Sequence, residues 1–422
     1  MPRAPSDMHI TPRWILPMSG GHDLLEEHTL VVRDGRILEI VPAAAAEQRY
    51  APRVSLDRPS HLLMPGLVNA HTRIGTLPGE GAASMFSPDL AAVGIANMLK
   101  SGVTAFCDVG YFPGEAAHTA AAQGLRAVIG LPVAAQPSPW ARGPAEYLTR
   151  ALKLRDEYKG HPSISTVFAP LRAYTLEDAT LARISTLAAE LDAGIVIALN
   201  RSRRDIDESM TRHGMRPLAR LESQGLLTPA LIAVHAVNLE ESELELIHRA
   251  GASIALCLAA DLARGDGLPP IEALAAARAA GLRLCLGSDG ESLGTAQDLW
   301  SDIKLLALHG RIASEHPALD AREVLETATR GGAAALGLDA EIGSLEAGKW
   351  ADLCCLDLGG PATQPALEPL SQVLLTGGRD LVSDVWVAGR QLLSEGQFTR
   401  LDWPELAARL KAVEARARIA PT

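Results

Sequence analysis

From Met64 to about Gly337, short apolar runs alternate with Ala- and Leu-rich amphipathic stretches. The runs GLVNAH, TAFCDV, RAVIGLP, STVFAP, GIVIALN, LIAVHAV, ASIALCL and LRLCLGSD are continuous rather than alternating, which is how strands buried on both faces read. Between them, segments such as LEDATLARISTLAAELDA and LEESELELIHRAG place apolar residues three and four apart and predict helices. Eight buried strands separated by helices predict an α/β chain closed into a (β/α)8 barrel of the TIM type. Both ends of the chain have a different texture. HTLVVRDGRILEIVP carries β-branched runs on either side of Asp34-Gly35, a two-residue hairpin turn. KWADLCCLDL, the segment around Leu374, and SDVWVAGRQLL with Ala388-Gly389 as its turn read as strands as well. The expected organisation is a small composite β-sandwich domain from residues 1–62 and 343–400, the barrel over 63–342, and a C-terminal helix and tail over 401–422.

Composition narrows the function classes. Among 422 residues the 39 Lys and Arg are outnumbered by 50 Asp and Glu, so no global basic field exists to hold a phosphate backbone, and nucleic acid is not an expected partner. No uninterrupted apolar stretch reaches the ~18 residues of a membrane span, and the first residues lack an export signal's apolar core. The five cysteines form no C-x-x-C pair, and four lie inside apolar runs, which suggests small hydrophobes in a reducing, cytoplasmic compartment.

Barrel enzymes gather their chemistry at the C-terminal ends of the strands, so the residues that finish each run carry the information. Those ends read MPGLVNAH at 64–71, IAVHAVNL around His235 and LGSDG at 286–290, and GSLEAGKWADL follows the barrel. Together they resemble the amidohydrolase superfamily, specifically its methylthioadenosine/S-adenosylhomocysteine deaminase and triazine-hydrolase branch. The resemblance runs over nearly the whole chain. It implies one divalent metal, zinc or iron, held by an H-x-H pair ending strand 1, a His ending strand 5 and an Asp ending strand 8. It also implies a Glu proton shuttle after the strand 5 His, and a strand 6 His orienting water or substrate. Such a set leaves an open position on which water loses a proton at neutral pH.

Carried over position by position, this set is broken. His71-Thr72-Arg73 keeps the first ligand and puts arginine at the second. The strand 5 H-x-x-E falls on Ala198-Leu199-Asn200-Arg201, while strand 6 keeps His235 and strand 8 keeps Asp289. The family's H-C-P on strand 7 falls on Leu256-Cys257-Leu258, and the connection after Arg73 is shorter than the family's. A guanidinium stays protonated and has no lone pair for a metal, so Arg73 repels one. If strand registers are kept, Arg73 and Arg201 point into the ion's space, within reach of Asp289, and neutralise it.

Each residue also has a plain structural reading. His71 and His235 suit hydrogen-bonded core histidines, Asp289 suits a helix cap or turn, and Arg203 and Arg204 suit a solvated run with Asp205, Asp207 and Glu208. Glu291 is a lone acid near the mouth. The Gly-containing loops at 79–84 and 265–267 lack a phosphate-loop signature, and no G-x-S-x-G elbow is present.

Three functional readings follow. The first is a deaminase-like pseudoenzyme without a metal cofactor, whose mouth, ringed by Arg73, Arg172 and Arg201, takes a small anion, and which works as a homodimer or beside a related active subunit. The second is an active hydrolase of C–N bonds, with one zinc or iron on His71, His235 and Asp289. The third is metal-free chemistry with His235 as the base.

Overall fold

The computed structural model describes residues 3–20, 24–75, 87–290, 297–312 and 318–419. Eight parallel strands stand side by side in chain order: β1 (Leu67–Thr72), β2 (Val103–Asp108), β3 (Arg126–Val133), β4 (Ile164–Pro170), β5 (Ile195–Leu199), β6 (Leu231–His235), β7 (Ser253–Leu256) and β8 (Arg283–Leu286). Each falls on one of the eight apolar runs. All residues of β1, β2, β3, β6 and β7 are buried, which is why their sequences do not alternate. Helices between them present one apolar face to the strands. In Asp178–Glu190, for instance, Leu181, Ile184, Leu187 and Ala188 are the buried positions, each large one worth roughly 1.5–3 kcal/mol.

The barrel is brought towards closure where β8 meets β1. The amides of Ser288 and Asp289 both donate to the His71 carbonyl, at 2.9 and 3.0 Å, and Thr72 and Asp289 form a parallel bridge. Glycine is required at this seam, because a Cβ on Gly287 would lie 2.8 Å from both the His71 Cβ and its carbonyl oxygen. Closure itself therefore places His71 against Asp289.

Strands from both chain ends form a separate mixed sheet of nine strands. Its spine is Tyr50–Pro65, parallel to Ala4–Ile15 on one side and antiparallel to Leu353–Asp357 on the other. Both expected hairpin turns are present. Asp34 and Gly35 (φ 53 and 72) join Arg33 to its partner Arg36, and Ala388 and Gly389 (φ 48 and 73) join Val387 to Arg390. Left-handed backbone at both central residues is the type I′ geometry that matches strand twist. The segment around Leu374 departs from expectation: it is a helix, Pro369–Leu375, begun by proline in its first turn and burying Val373 and Leu374. Five to seven apolar residues read equally well as strand or helix until packing decides.

Arg126 of β3 ties the barrel to the sheet, its Nε and Nη2 donating to the two carboxylate oxygens of Asp352 at 3.2 and 3.3 Å. The helix Trp403–Ile419 packs Leu406 near Ala92 and Ala96 of the helix Pro88–Lys100. Among the described residues, no helix is long and apolar enough to cross a membrane.

Candidate active site at the barrel mouth

His71 lies in the last turn of β1, His235 ends β6, and Asp289 follows β8 by three residues. All three are buried, and one donor atom from each lies within 4.8 Å of the others. His71 Nε2 is 3.6 Å from Asp289 Oδ1, and the two imidazoles meet edge to face with centroids 5.8 Å apart. Backbone here is held in an uncommon region. Asn200, His235 and Asp289, at the ends of β5, β6 and β8, have φ of 47°, 74° and 54°, which side chains with a Cβ adopt only when surroundings enforce it.

Hydrogen bonds assign the protons. His235 Nδ1 lies 2.8 Å from Asp261 Oδ1. An ionised carboxylate only accepts, so Nδ1 carries the proton and Nε2 keeps its lone pair. Neither ring nitrogen of His71 has a hydrogen-bond partner, and Asp289 Oδ1 has none either. Burial holds the His71 pKa down despite the Asp289 carboxylate, so the imidazole is neutral. Burial alone would raise the Asp289 pKa, yet His71, Arg73 and His235 hold it well below the usual carboxylate range.

Asp289 is nonetheless already paired. Arg264, the last residue of the helix Leu258–Arg264 that follows β7, donates Nη1 to Asp289 Oδ2 at 2.5 Å, Nη2 to Asp261 Oδ1 at 2.6 Å and Nε to Asp266 Oδ2 at 2.8 Å. Burial opposes its charge, but the three carboxylates raise its pKa further. Arg73 adds a second guanidinium, its Nε 3.8 Å from Asp289 Oδ1, at ion-pair rather than hydrogen-bond range. The orphaned atoms of His71 and Asp289, with the His235 lone pair, suit a divalent ion, which counts against the expectation of no metal. Two guanidiniums on the same carboxylate oppose one.

The other predicted residues are placed differently. Arg201, expected within reach of Asp289, lies at ion-pair range of Asp205 (3.7 Å) and Asp266 (3.9 Å). Its own charge run supplies the nearer partner, one helical turn along. Arg172 is exposed, in left-handed backbone (φ 48) ahead of a short turn at Ala173–Thr175. Ala198 is exposed between buried Ile197 and Leu199, so the position of the absent histidine is an accessible methyl. Glu291, the loop at 79–84 and most of the short connection after Arg73 lie outside the described residues. Sequence reasoning missed Asp261, Arg264 and Asp266. Their signal was DLARGDG, acid, base and acid at the end of the short helix that follows a barrel strand and in the loop beyond it.

One further buried acid shapes the mouth. Asp108, at the end of β2, accepts the Ile74 amide at 2.7 Å on Oδ1 and so fixes the chain just after Arg73. Burial pushes its pKa up to about 7.

A model of the amidohydrolase family matches residues 62–392. The chain belongs to that family. It is 34% identical over 426 residues to a 5-methylthioadenosine/S-adenosylhomocysteine deaminase of Teredinibacter turnerae, covering 95% of this chain and 96% of the relative. A deaminase of the same name from Saccharophagus degradans is 32% identical, covering 98% and 97%. Among solved structures, an adenosine deaminase from Xanthomonas campestris with bound zinc superposes with a TM-score of 0.94 at 34% identity, covering 99% of this chain and all of that one. Atrazine chlorohydrolase from Arthrobacter aurescens shares the fold with a TM-score of 0.86 at 21% identity, covering 96% and 99%.

Proposed function

We propose that this amidohydrolase, deaminase-like in fold and ancestry, does not carry out metal-dependent deamination, because Arg264 supplies the positive charge that an ion would bring to Asp289. The observation that carries this reading is the 2.5 Å contact between Arg264 Nη1 and Asp289 Oδ2, made while Nη2 holds Asp261. A divalent ion among His71, His235 and Asp289 would sit beside two fixed cations. Each such repulsion costs several kcal/mol, about 8 for a double against a single charge at 4 Å with an effective dielectric near 20. Proton handling is weakened as well, since Ala198 offers a methyl and Arg201 a group that does not release its proton at neutral pH. The remaining role is binding. Arg73, Arg172 and Arg201 suit a small carboxylate or phosphate ester at the mouth, and the chain would act as a homodimer or beside a related active subunit. Five free, buried cysteines agree with a reducing compartment, which we take to be the cytoplasm.

The orphaned nitrogens of His71 and the unpartnered Asp289 Oδ1 favour a second reading. In it, His71, His235 and Asp289 hold one zinc or iron ion, which when bound supplies an activated water. Asp261 then fixes the His235 tautomer, and the substrate is an aminated purine nucleoside of the kind that the named relatives act on. The same Asp261 contact prepares His235 Nε2 as a base for metal-free chemistry.

Elemental analysis of protein purified without added metal or chelator, before and after incubation with zinc, separates these readings when paired with assays on adenosine, methylthioadenosine and S-adenosylhomocysteine. We expect a metal-to-protein ratio near zero and no ammonia release. About one metal per chain with turnover would overturn the leading reading and establish the second.

A further inference from the structure

We propose that a cleft at the opposite end of the barrel binds a small organic anion, a phosphate monoester with an apolar body. The cleft, of about 560 Å³, opens at the N-terminal ends of β4, β5, β6 and β8, a size that suits a small molecule. The chain as a whole is acidic, yet this lining holds Arg155, Lys159 and Arg283 against a single acid, Asp192.

How the two arginines are held makes the site anion-selective. Arg155 donates Nη1 to Thr166 Oγ1 at 3.2 Å and Nη2 to the Leu191 carbonyl. Arg283 donates Nη2 to the carbonyls of Pro229, at 2.9 Å, and Gly251. Among the described residues neither guanidinium has a carboxylate within 4 Å. Elsewhere the same chain answers its buried and half-buried arginines with acids: Arg126 with Asp352, Arg216 with Glu243, Arg220 with Asp178, Arg278 with Glu326. Neutral acceptors fix a guanidinium in place without cancelling its charge, and the uncancelled charge is what a phosphate recognises.

His161 adds a directed donor. Its Nδ1 accepts the amides of Ser163 (3.3 Å) and Ile164 (3.2 Å), so the proton resides on Nε2. Ser165, exposed between two buried neighbours on β4, adds a hydroxyl. Val167, Ile232, Leu336 and Leu338 supply apolar wall for the body of the ligand.

Calorimetric titration of the full chain with phenyl phosphate, with phenol as the uncharged control, tests the site. Phenyl phosphate is expected to bind, with a component of the isotherm that substitutions in the cleft weaken, and phenol is not. Lys159→Ala, at an exposed rim position, and Arg155→Gln should each weaken binding about tenfold, or ~1.4 kcal/mol. Arg53→Ala, at an exposed position of the terminal sheet remote from both ends of the barrel, should leave the affinity unchanged. Absence of binding at millimolar concentration, equal binding of phenol, or binding that is lost in Arg172→Ala, at the barrel mouth, and unchanged in Lys159→Ala would each overturn the proposal. If Arg155→Gln does not fold, Lys159→Ala decides alone. This site is independent of whether the mouth holds a metal.

Discussion

Arg264 Nη1 lies 2.5 Å from Asp289 Oδ2, linking the helix after β7 to the chain after β8 across the mouth of the barrel. The same guanidinium reaches Asp261, so one arginine pairs with two carboxylates that are both fully buried. Removing it strands buried charge, which costs about 3–5 kcal/mol. Arg264→Leu should therefore melt well below the parent protein. It should also expose Asp289 to an ion, so that zinc raises its melting temperature and the bound ratio approaches one per chain, while the parent protein is unaffected. Thermal melts with and without zinc, followed by elemental analysis, read both effects. A variant that neither binds zinc nor is stabilised by it would refute the idea that Arg264 competes with a metal.

His71 gives the complementary test. A buried imidazole with no hydrogen-bond partner on either nitrogen is a standing cost of about 1–3 kcal/mol unless something else ligates it. In the metal-free reading, His71→Leu removes that cost at similar volume but also the favourable interaction of His71 with the Asp289 carboxylate, so the two effects offset and stability changes little, with or without chelator. If an ion is held there, the substitution loses a ligand and stability falls in chelator-free buffer. Denaturant melts of the two proteins, with and without chelator, distinguish the cases: only a bound ion makes the parent protein's advantage depend on chelator.

Much of this architecture was legible because its signals are local. Eight continuous apolar runs gave the eight barrel strands, and Asp34-Gly35 and Ala388-Gly389 announced turns that need left-handed backbone at both positions. His71, His235 and Asp289 were found because barrel geometry directs attention to strand ends and the resemblance to the amidohydrolase superfamily assigns roles to those positions. Charge pairing was not legible. Strand register put Arg73 and Arg201 within reach of Asp289; Arg73 is at ion-pair range of it, whereas Arg201 lies beside Asp205, four residues on in its own segment, and beside Asp266. Arg264 reaches Asp289 only through the packing of one helix end against a neighbouring loop, which no periodicity in the sequence encodes.

Asp108 makes stability depend on pH. Unfolded, its carboxyl titrates near 3.8; folded, burial moves it to about 7. Between those values the native state holds a proton that the unfolded chain has released, so stability falls as pH rises from about 4 to about 7 and then levels off. Asp108→Asn keeps an oxygen acceptor for the Ile74 amide and removes the titration. The variant should gain on the parent protein by about 1–3 kcal/mol at pH 8 and by little at pH 4.5. Urea melts at the two pH values measure the difference, and an equal shift at both would rule out Asp108 as the source.

Arg73→His restores an H-x-H pair at the end of β1, and taken alone it should not produce a deaminase. The substitution removes one guanidinium from the neighbourhood of Asp289 Oδ1 but leaves Arg264 on Oδ2. Ala198 still offers no ligand, and Arg201 still stands where a proton shuttle is needed. Zinc affinity is expected to rise, since a third imidazole joins His71 and His235, while ammonia release from adenosine stays at background. Only with Arg264 also removed should uptake become stoichiometric. Measured deamination by the single variant would overturn the proposal that Arg264 and the residues at the end of β5 keep this site from metal-dependent deamination.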